Sequence, residues 1–293
     1  MRVMVTGAAG QLGSELVAYA SSISPGKRGS SLEVVACDRK ALDVTERDEV
    51  MEAVLGSAPD VIFHAAAATD VDGCEEDHRG AFLVNALGTR NVAEAARRCG
   101  AHLCYLSTDY VFDGKSERPY TEWDTPNPLS VYGASKLAGE REAGEGATVV
   151  RTSWLSGTTG RNMVKTVLQM ASRPGSRLKF VDDQRGSPTF VGDAVPAIWK
   201  LATERMPGTY HVANDGEATW FELARAVLEA AGLDPFRVEP IATAELDPPR
   251  PAKRPAYSVL DCTVARAMGA PPLPHWRDGL GRLVAQLRGA GPR

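Results

Sequence analysis

From residue 2 to residue 154 short apolar runs alternate with helix-like patterns, and this rhythm narrows the choice of fold more than any other feature. The runs "VMVTG", "EVVACD", "DVIFHAAA", "HLCYLSTD" and "TVVRTSW" show little polar alternation, as strands covered on both faces do. Between them lie a helix from about Gln11, the pattern "TERDEVMEAVLG" with Thr45 as N-cap and early acids, and a longer helix near "AFLVNALGTRNVAEAARRCG". The alternation predicts βαβ units and a parallel sheet of the α/β class.

The rhythm changes after about Trp154. Strand signals become sparse ("RLKFVDD", "GTYHVAND"), helical patterns intervene ("NMVKTVLQMAS", "WFELARAVLEAAG"), and prolines cluster in "LDPPRPAKRP". At 293 residues the chain exceeds a typical single domain. We therefore expect a first domain over 1–153 and a smaller lobe over 154–293, with later segments free to cross back. There is no long repeat and no low-complexity linker.

Charge and cysteine usage exclude several functions. The chain holds 33 basic and 37 acidic residues, for a net charge of -4; duplex nucleic acid, which needs a basic face, is not an expected partner. Five cysteines without CxxC or zinc spacing suit a reducing, cytoplasmic setting, with Cys37 and Cys104 read as small core residues. No charged-then-apolar leader and no membrane-length apolar run is present, so neither export nor membrane insertion is expected.

"VMVTGAAGQLGSELV" places Gly7, Gly10 and Gly13 between a strand and a helix. Glycines there let the backbone approach a pyrophosphate, and the helix N-terminus offers free N–H groups and a favourable dipole. The spacing is GxxGxxG rather than GxGxxG, and a tight turn without ligand is the plain alternative. Asp38 ends the second strand and Arg39 follows it. A carboxylate at this place favours the ribose hydroxyl of NAD, whereas a neighbouring arginine accommodates the 2′-phosphate of NADP, so the pair leaves the cofactor open.

In "NPLSVYGASKLAGE" Tyr132 and Lys136 stand four apart, which on a helix puts them on one face. A lysine ammonium near a phenol lowers its pKa from about 10 and makes it a usable proton donor. Such pairs also arise by chance on exposed helices. The pair gains weight from "YLSTDYVFDG", where Ser107, Thr108 and Asp109 follow an apolar strand, because the C-terminal ends of parallel strands face the ligand crevice. Thr108 could there hydrogen-bond the same carbonyl oxygen that Tyr132 protonates.

"TGAAGQLG", "STDYVFDG" and "YGASKLAGE" together resemble the extended short-chain dehydrogenase/reductase superfamily, and within it the dTDP-4-dehydrorhamnose reductase family. The resemblance runs on through "RTSWLSG", "DDQRGSPTF" and "PRPAKRPAYSVLD" to "LPHWRDGL", nearly the whole chain. It implies a Rossmann-like doubly wound domain that binds NADPH or NADH, and a smaller C-terminal α/β lobe for a dTDP-sugar. Carried over by motif, it implies Gly10, Gln11 and Leu12 on the pyrophosphate, Asp38, Asp43 and Val44 around the adenosine, and Ala67, Ala68 and Thr69 beneath the cofactor. Thr108, Tyr132 and Lys136 would be catalytic, with Thr108, Asp109, Trp154 and Arg254 toward the substrate. Arg250, Lys253 and Arg254 could also present charge to the diphosphate; a solvated connector is the bland alternative. Some family members form homodimers with bound Mg2+; the sequence shows no compelling acidic cluster for that metal.

The family usually carries tyrosine or histidine where this chain has Ala68, which should loosen one wall of the pocket. Other readings stay open. A 4,6-dehydratase would place Asp-Glu after the threonine, whereas Asp109 is followed by Tyr110; a UDP-sugar epimerase shares the three catalytic residues and differs only in the later motifs. A ketoreductase for another dTDP-deoxysugar is a further alternative. So is a non-catalytic regulatory subunit of the methionine adenosyltransferase type, though a pure binding module has no need of a tuned phenol.

Overall fold

Strands β1 (Arg2–Thr6), β2 (Glu33–Cys37), β3 (Val61–His64), β4 (His102–Thr108) and β5 (Thr148–Thr152) form where the apolar runs predict them. Their side chains alternate between two cores rather than between core and water. Val3, Val5, Phe63 and Leu106 pack on one face, and Met4, Ile62, Leu103 and Tyr105 on the other. Two covered faces explain why the strands read as unbroken apolar runs. Cys104 and Cys37 are buried in these two cores. The computed structural model describes residues 1–23, 32–173 and 175–289.

Helix α1 (Gln11–Ser22) lies on the first face through Leu12, Leu16 and Ala20. On the second face α2 (Arg47–Ser57) packs with Val50 and Val54. Thr45 is not its cap: the N-cap is Glu46, without a side-chain bond, and the Thr45 hydroxyl donates to Asp43 Oδ1 at 2.8 Å. The aspartate two residues earlier outcompetes the helix end for that hydroxyl.

The expected long helix after β3 is broken into three pieces. After α3 (Val71–Glu76) come α4 (His78–Phe82), a single π turn over Leu83–Leu87, and α5 (Gly88–Cys99). Asp77 ends α3 and caps α4, accepting from Gly80 N at 2.8 Å. Single π turns inserted in helices often mark functional sites. Helix α6 (Val131–Ala143) then carries the chain into β5.

The second half adds β6 (Leu155–Ser156), α7 (Met163–Ala171), β7 (Leu178–Val181), β8 (Arg185–Gly186) and β9 (Thr189–Phe190). They are followed by α8 (Val191–Thr203), β10 (Gly208–His211), β11 (Ala218–Thr219), α9 (Trp220–Ala230), β12 (Val238–Ile241), α10 (Thr263–Ala267) and α11 (Trp276–Leu287). Helices α7, α9 and α11 enclose a separate core with Phe180, Leu223, Val227, Trp276 and Leu280.

Two of these later elements return to the first domain. Helix α8 packs beside α1 through Val195, Ile198 and Leu201, and β10 extends the sheet by pairing parallel to β5. The six strands are all parallel, in the order β10-β5-β4-β3-β1-β2. The winding direction reverses between β1 and β3, and ligands of open α/β sheets bind at such a switch point. Among the described residues no helix is long and apolar enough to cross a membrane.

Candidate active site at the switch point

A cavity of about 720 Å3 opens at the C-terminal ends of β1, β3, β4 and β5. Its floor is the glycine turn. Gly7 has φ +67°, and a Cβ there would lie 2.6 Å from Ala66 N; a Cβ on Gly13 would lie 2.2 Å from Gly7 O. The turn therefore packs against both the β3 end and the first turn of α1, which a side chain at either position would prevent. Gly10 is the N-cap of α1 and has no capping side chain, so the opening N–H groups of the helix suit an anion. Gly7, Gly10, Gln11, Leu12 and Gly13 all line the cavity.

Gln11 also does something the sequence did not reveal. Its Oε1 accepts from Gly157 N at 3.1 Å and Asn162 Nδ2 at 3.0 Å, and its Nε2 donates to the Arg161 carbonyl at 3.1 Å. The side chain thus ties the glycine turn to the loop after β6.

Beyond β2, Arg39, Asp43 and Val44 line the cavity. Asp38 is not among the lining residues: its Oδ1 accepts from Lys40 N and Ala41 N, both at 2.9 Å, so the carboxylate stabilises its own turn. Arg39 is left as the basic side chain lining this end. Asp43 holds Thr45 N at 3.0 Å, and this bond foremost keeps its carboxyl below the usual range.

After β3, Ala67, Ala68 and Thr69 form a wall that the π turn holds in place. Asn85 Oδ1 accepts from Ala68 N at 2.8 Å, while Asn85 Nδ2 donates to Ala68 O at 3.1 Å and to Ser135 Oγ at 2.9 Å. Asn85 is 1% exposed and was missed by sequence reasoning. A buried amide inside the apolar pattern "LVNAL" was its only signal.

The three residues expected to be catalytic come from β4 and α6. Ser130 caps α6, accepting from Gly133 N at 3.2 Å, and the helix presents Tyr132 and Lys136 to the cavity beside Thr108. Lys136 is 2% exposed and its Nζ sits 4.2 Å from the centroid of the Tyr105 ring, a cation–π seat. One turn on, Glu140 pairs with Arg151 at 2.7 Å and accepts from Ser107 at 2.5 Å, pinning α6 to β4 and β5.

Electrostatics here differ from the expected tuning of the phenol. Burial pushes the Tyr132 hydroxyl above its ordinary range, against the neighbouring Thr108 hydroxyl, and nearby Asp109 pushes the same way as burial. Burial lowers Lys136 to about 7, opposed by Glu140. In a site this enclosed, desolvation outweighs the pull of an ammonium seated over another ring.

Two residues expected on the substrate face elsewhere. Asp109 is 2% exposed and receives Thr108 Oγ1 at 3.1 Å, Ser153 Oγ at 3.1 Å and Ser258 Oγ at 2.6 Å. It stands behind Thr108, outside the cavity lining. Arg254 clamps Asp72 of α3 with Nη1 at 2.9 Å and Nη2 at 2.7 Å, and Arg250 joins the same carboxylate at 3.2 Å. Two guanidinium groups thus share one carboxylate. Trp154 does line the cavity, at φ +47°, stacked on Trp220 with ring centroids 3.4 Å apart. Among the described residues no group of three or more His, Cys, Asp or Glu could hold a metal ion.

A family model described as the RmlD substrate binding domain matches residues 1–288. The dTDP-4-dehydrorhamnose reductase of Mycobacterium tuberculosis (strain ATCC 25618 / H37Rv) is 41% identical over 293 residues, covering 97% of this chain and 92% of that protein. A probable dTDP-4,6-dihydroxy-2-methyloxan-3-one 4-ketoreductase of Streptomyces antibioticus is 41% identical over 287 residues, covering 96% and 93%. Among solved structures, the dTDP-4-dehydrorhamnose reductase of Bacillus anthracis in complex with NADP superposes with a TM-score of 0.90 at 38% identity, covering 97% of this chain and 99% of that one.

Proposed function

The chain belongs to the dTDP-4-dehydrorhamnose reductase family, and from that premise we propose that it reduces the 4-keto group of a dTDP-4-dehydro-6-deoxy-L-hexose, converting dTDP-4-dehydro-L-rhamnose to dTDP-L-rhamnose. One observation carries the reading: Thr108, Tyr132 and Lys136 converge on the cavity whose floor is the Gly7–Gly13 cradle. A proton donor and a dinucleotide seat in one cavity are what carbonyl reduction requires.

The cradle fits a nicotinamide dinucleotide, because the approach of the turn to the β3 end and to α1 leaves backbone, not side chains, facing the ligand. When bound, the reduced cofactor supplies a hydride to the ketone carbon. Tyr132 holds the proton for the ketone oxygen. Lys136, which burial lowers to about 7, stands one turn after Tyr132 on the same helix and lines the same cavity. Trp154, backed by Trp220, walls the sugar side. Arg39 at the adenosine end, with Asp38 engaged in its own turn, supports a preference for NADPH over NADH. We assign residues 1–153 with α8 and β10 to the cofactor, and the remaining segments to the sugar nucleotide. Among the described residues no group of three or more His, Cys, Asp or Glu gathers for a magnesium ion.

A second reading is favoured by Ala68. The short side chain leaves room on the wall beside the cofactor, and this supports a ketoreductase for another dTDP-deoxysugar, the activity named for the Streptomyces relative. Purified protein mixed with dTDP-4-dehydro-L-rhamnose and either NADPH or NADH separates the readings. Loss of reduced-nicotinamide absorbance with dTDP-L-rhamnose formed supports the first. Turnover only with a different 4-keto sugar supports the second, and cofactor binding without turnover of any sugar would leave a binding protein.

A further inference from the structure

The loop between β6 and α7 closes one side of the glycine turn, and one side chain holds it there. Gln11 Oε1 accepts from Gly157 N at 3.1 Å and from Asn162 Nδ2 at 3.0 Å, while Gln11 Nε2 donates to the Arg161 carbonyl at 3.1 Å. Gly160, at φ +69°, packs on the same residue: a Cβ there would lie 3.0 Å from Gln11 Cγ and 4.0 Å from Gln11 N. Gln11 is the first residue of α1. The loop therefore stands in contact with the helix end that suits a dinucleotide's pyrophosphate.

Positive charge is otherwise scarce at this place. The charged residues lining the cavity are Arg39, Asp43, Lys136 and Arg161. Arg39 and Asp43 follow β2 at the adenosine end, and Lys136 projects from α6. Lys165, at the start of α7, is engaged by loop carbonyls, donating to Gly160 O at 2.9 Å and to Thr158 O. Arg161 differs from it: among the described residues its side chain has no hydrogen bond, ion pair or ring contact.

Resting on the reading of this cavity as a dinucleotide seat, we propose that Arg161 is the cation that binds the cofactor pyrophosphate. Gln11 is its positioning residue, holding the loop and with it Arg161 at the glycine turn. The turn itself offers the pyrophosphate only N–H groups and the helix dipole. A guanidinium adds a full countercharge and donates to the phosphate oxygens in a planar fork. On this account three cations serve three parts of one ligand: Arg39 the adenosine side, Arg161 the pyrophosphate and Lys136 the nicotinamide side.

The test is binding without sugar, by isothermal titration calorimetry, in the wild type, Arg161→Ala, Arg161→Lys, Gln11→Ala and the double variant Arg161→Ala/Gln11→Ala. Arg161→Ala should weaken NADPH, NADH and ADP-ribose by the same factor, roughly tenfold. Adenosine 2′-monophosphate, which has no pyrophosphate, should bind unchanged. Arg161→Lys should recover most of the loss, because the charge is kept. Added salt should weaken NADH binding more steeply in the wild type than in Arg161→Ala. Gln11→Ala should weaken the same three ligands, and in the Arg161→Ala background it should add nothing. Full additivity of the two substitutions overturns the positioning role of Gln11. Unchanged dinucleotide affinity in Arg161→Ala, or a loss confined to NADPH, overturns the assignment of Arg161. So does weakened binding of dTDP with dinucleotide affinity intact, which would give Arg161 to the sugar nucleotide instead. If binding follows the expected pattern and no dTDP-keto sugar is reduced, the reductase reading fails and the pyrophosphate contact stands.

Discussion

Tyr132 separates chemistry from binding. Tyr132→Phe removes the proton and keeps the ring that packs edge-on against Tyr110, 5.7 Å between centroids. We expect kcat to fall by roughly 10²–10⁴ while cofactor affinity, followed by quenching of protein fluorescence, stays nearly constant; a variant that retains most turnover would remove Tyr132 from the donor role. Arg39 makes a different prediction. Arg39→Ala should weaken NADPH by a factor on the order of ten to a hundred, the worth of a charge-assisted hydrogen bond, and leave NADH little changed in parallel titrations. Equal losses for both cofactors would place Arg39 away from the 2′-phosphate. The convergence of Thr108, Tyr132 and Lys136 on one cavity was legible because helix spacing and strand-end position, together with the family motifs, point to it. The environment that sets their protonation was not, since it depends on how deeply the folded chain encloses them.

At the scale of elements, the strands were readable because both faces of each are apolar, and α1 because the glycine turn announces its start. The π turn was not readable. An insertion in a helix is stabilised by what it meets in space, and here Asn85 meets Ala68, seventeen residues earlier in the chain. Asn85→Ala should therefore cost about 1–3 kcal/mol, the price of leaving buried backbone groups unpaired, as read from urea denaturation. It should also raise the KM for cofactor, because the Ala67–Thr69 wall loses its tether. A stability loss without any change in KM would mean that Asn85 supports the helix and not the site. Thr45 shows the same limitation in reverse: its local pattern suggests a cap, and a nearby carboxylate diverts it.

For the whole molecule, the least legible contacts join the two ends of the chain. Ser258 reaches Asp109 across 149 residues, and Arg254 reaches Asp72 across 182. No local pattern reports such pairings, which is why Asp109 and Arg254 looked like substrate contacts. The second has a consequence for acid stability. Arg254 foremost, with Ala252 N and Arg250, holds the Asp72 carboxyl at about 2, below the unfolded value of about 3.9. Its stabilisation is thus fully present above about pH 4 and is lost as pH falls toward 2. Asp109 has the opposite sign: the folded state holds its proton more tightly, so its contribution falls as pH rises from about 4 to 6. Melting temperatures across pH 2–7 should show a shallower acid decline in Asp72→Asn than in the wild type; identical curves would mean that the Asp72 anchor adds nothing to folding.

The central claim is that hydride reaches C4 of a dTDP-linked keto sugar while Tyr132 provides the proton. The direct measurement is turnover of dTDP-4-dehydro-L-rhamnose with NADPH deuterated on the transferred face, with the product analysed by mass spectrometry and NMR. We predict one deuterium at C4 of dTDP-L-rhamnose for each NADPH oxidised, formed more slowly by roughly 10²–10⁴ in Tyr132→Phe. NADPH oxidation without deuterium at C4, or deuterium transfer undiminished in Tyr132→Phe, would contradict the account.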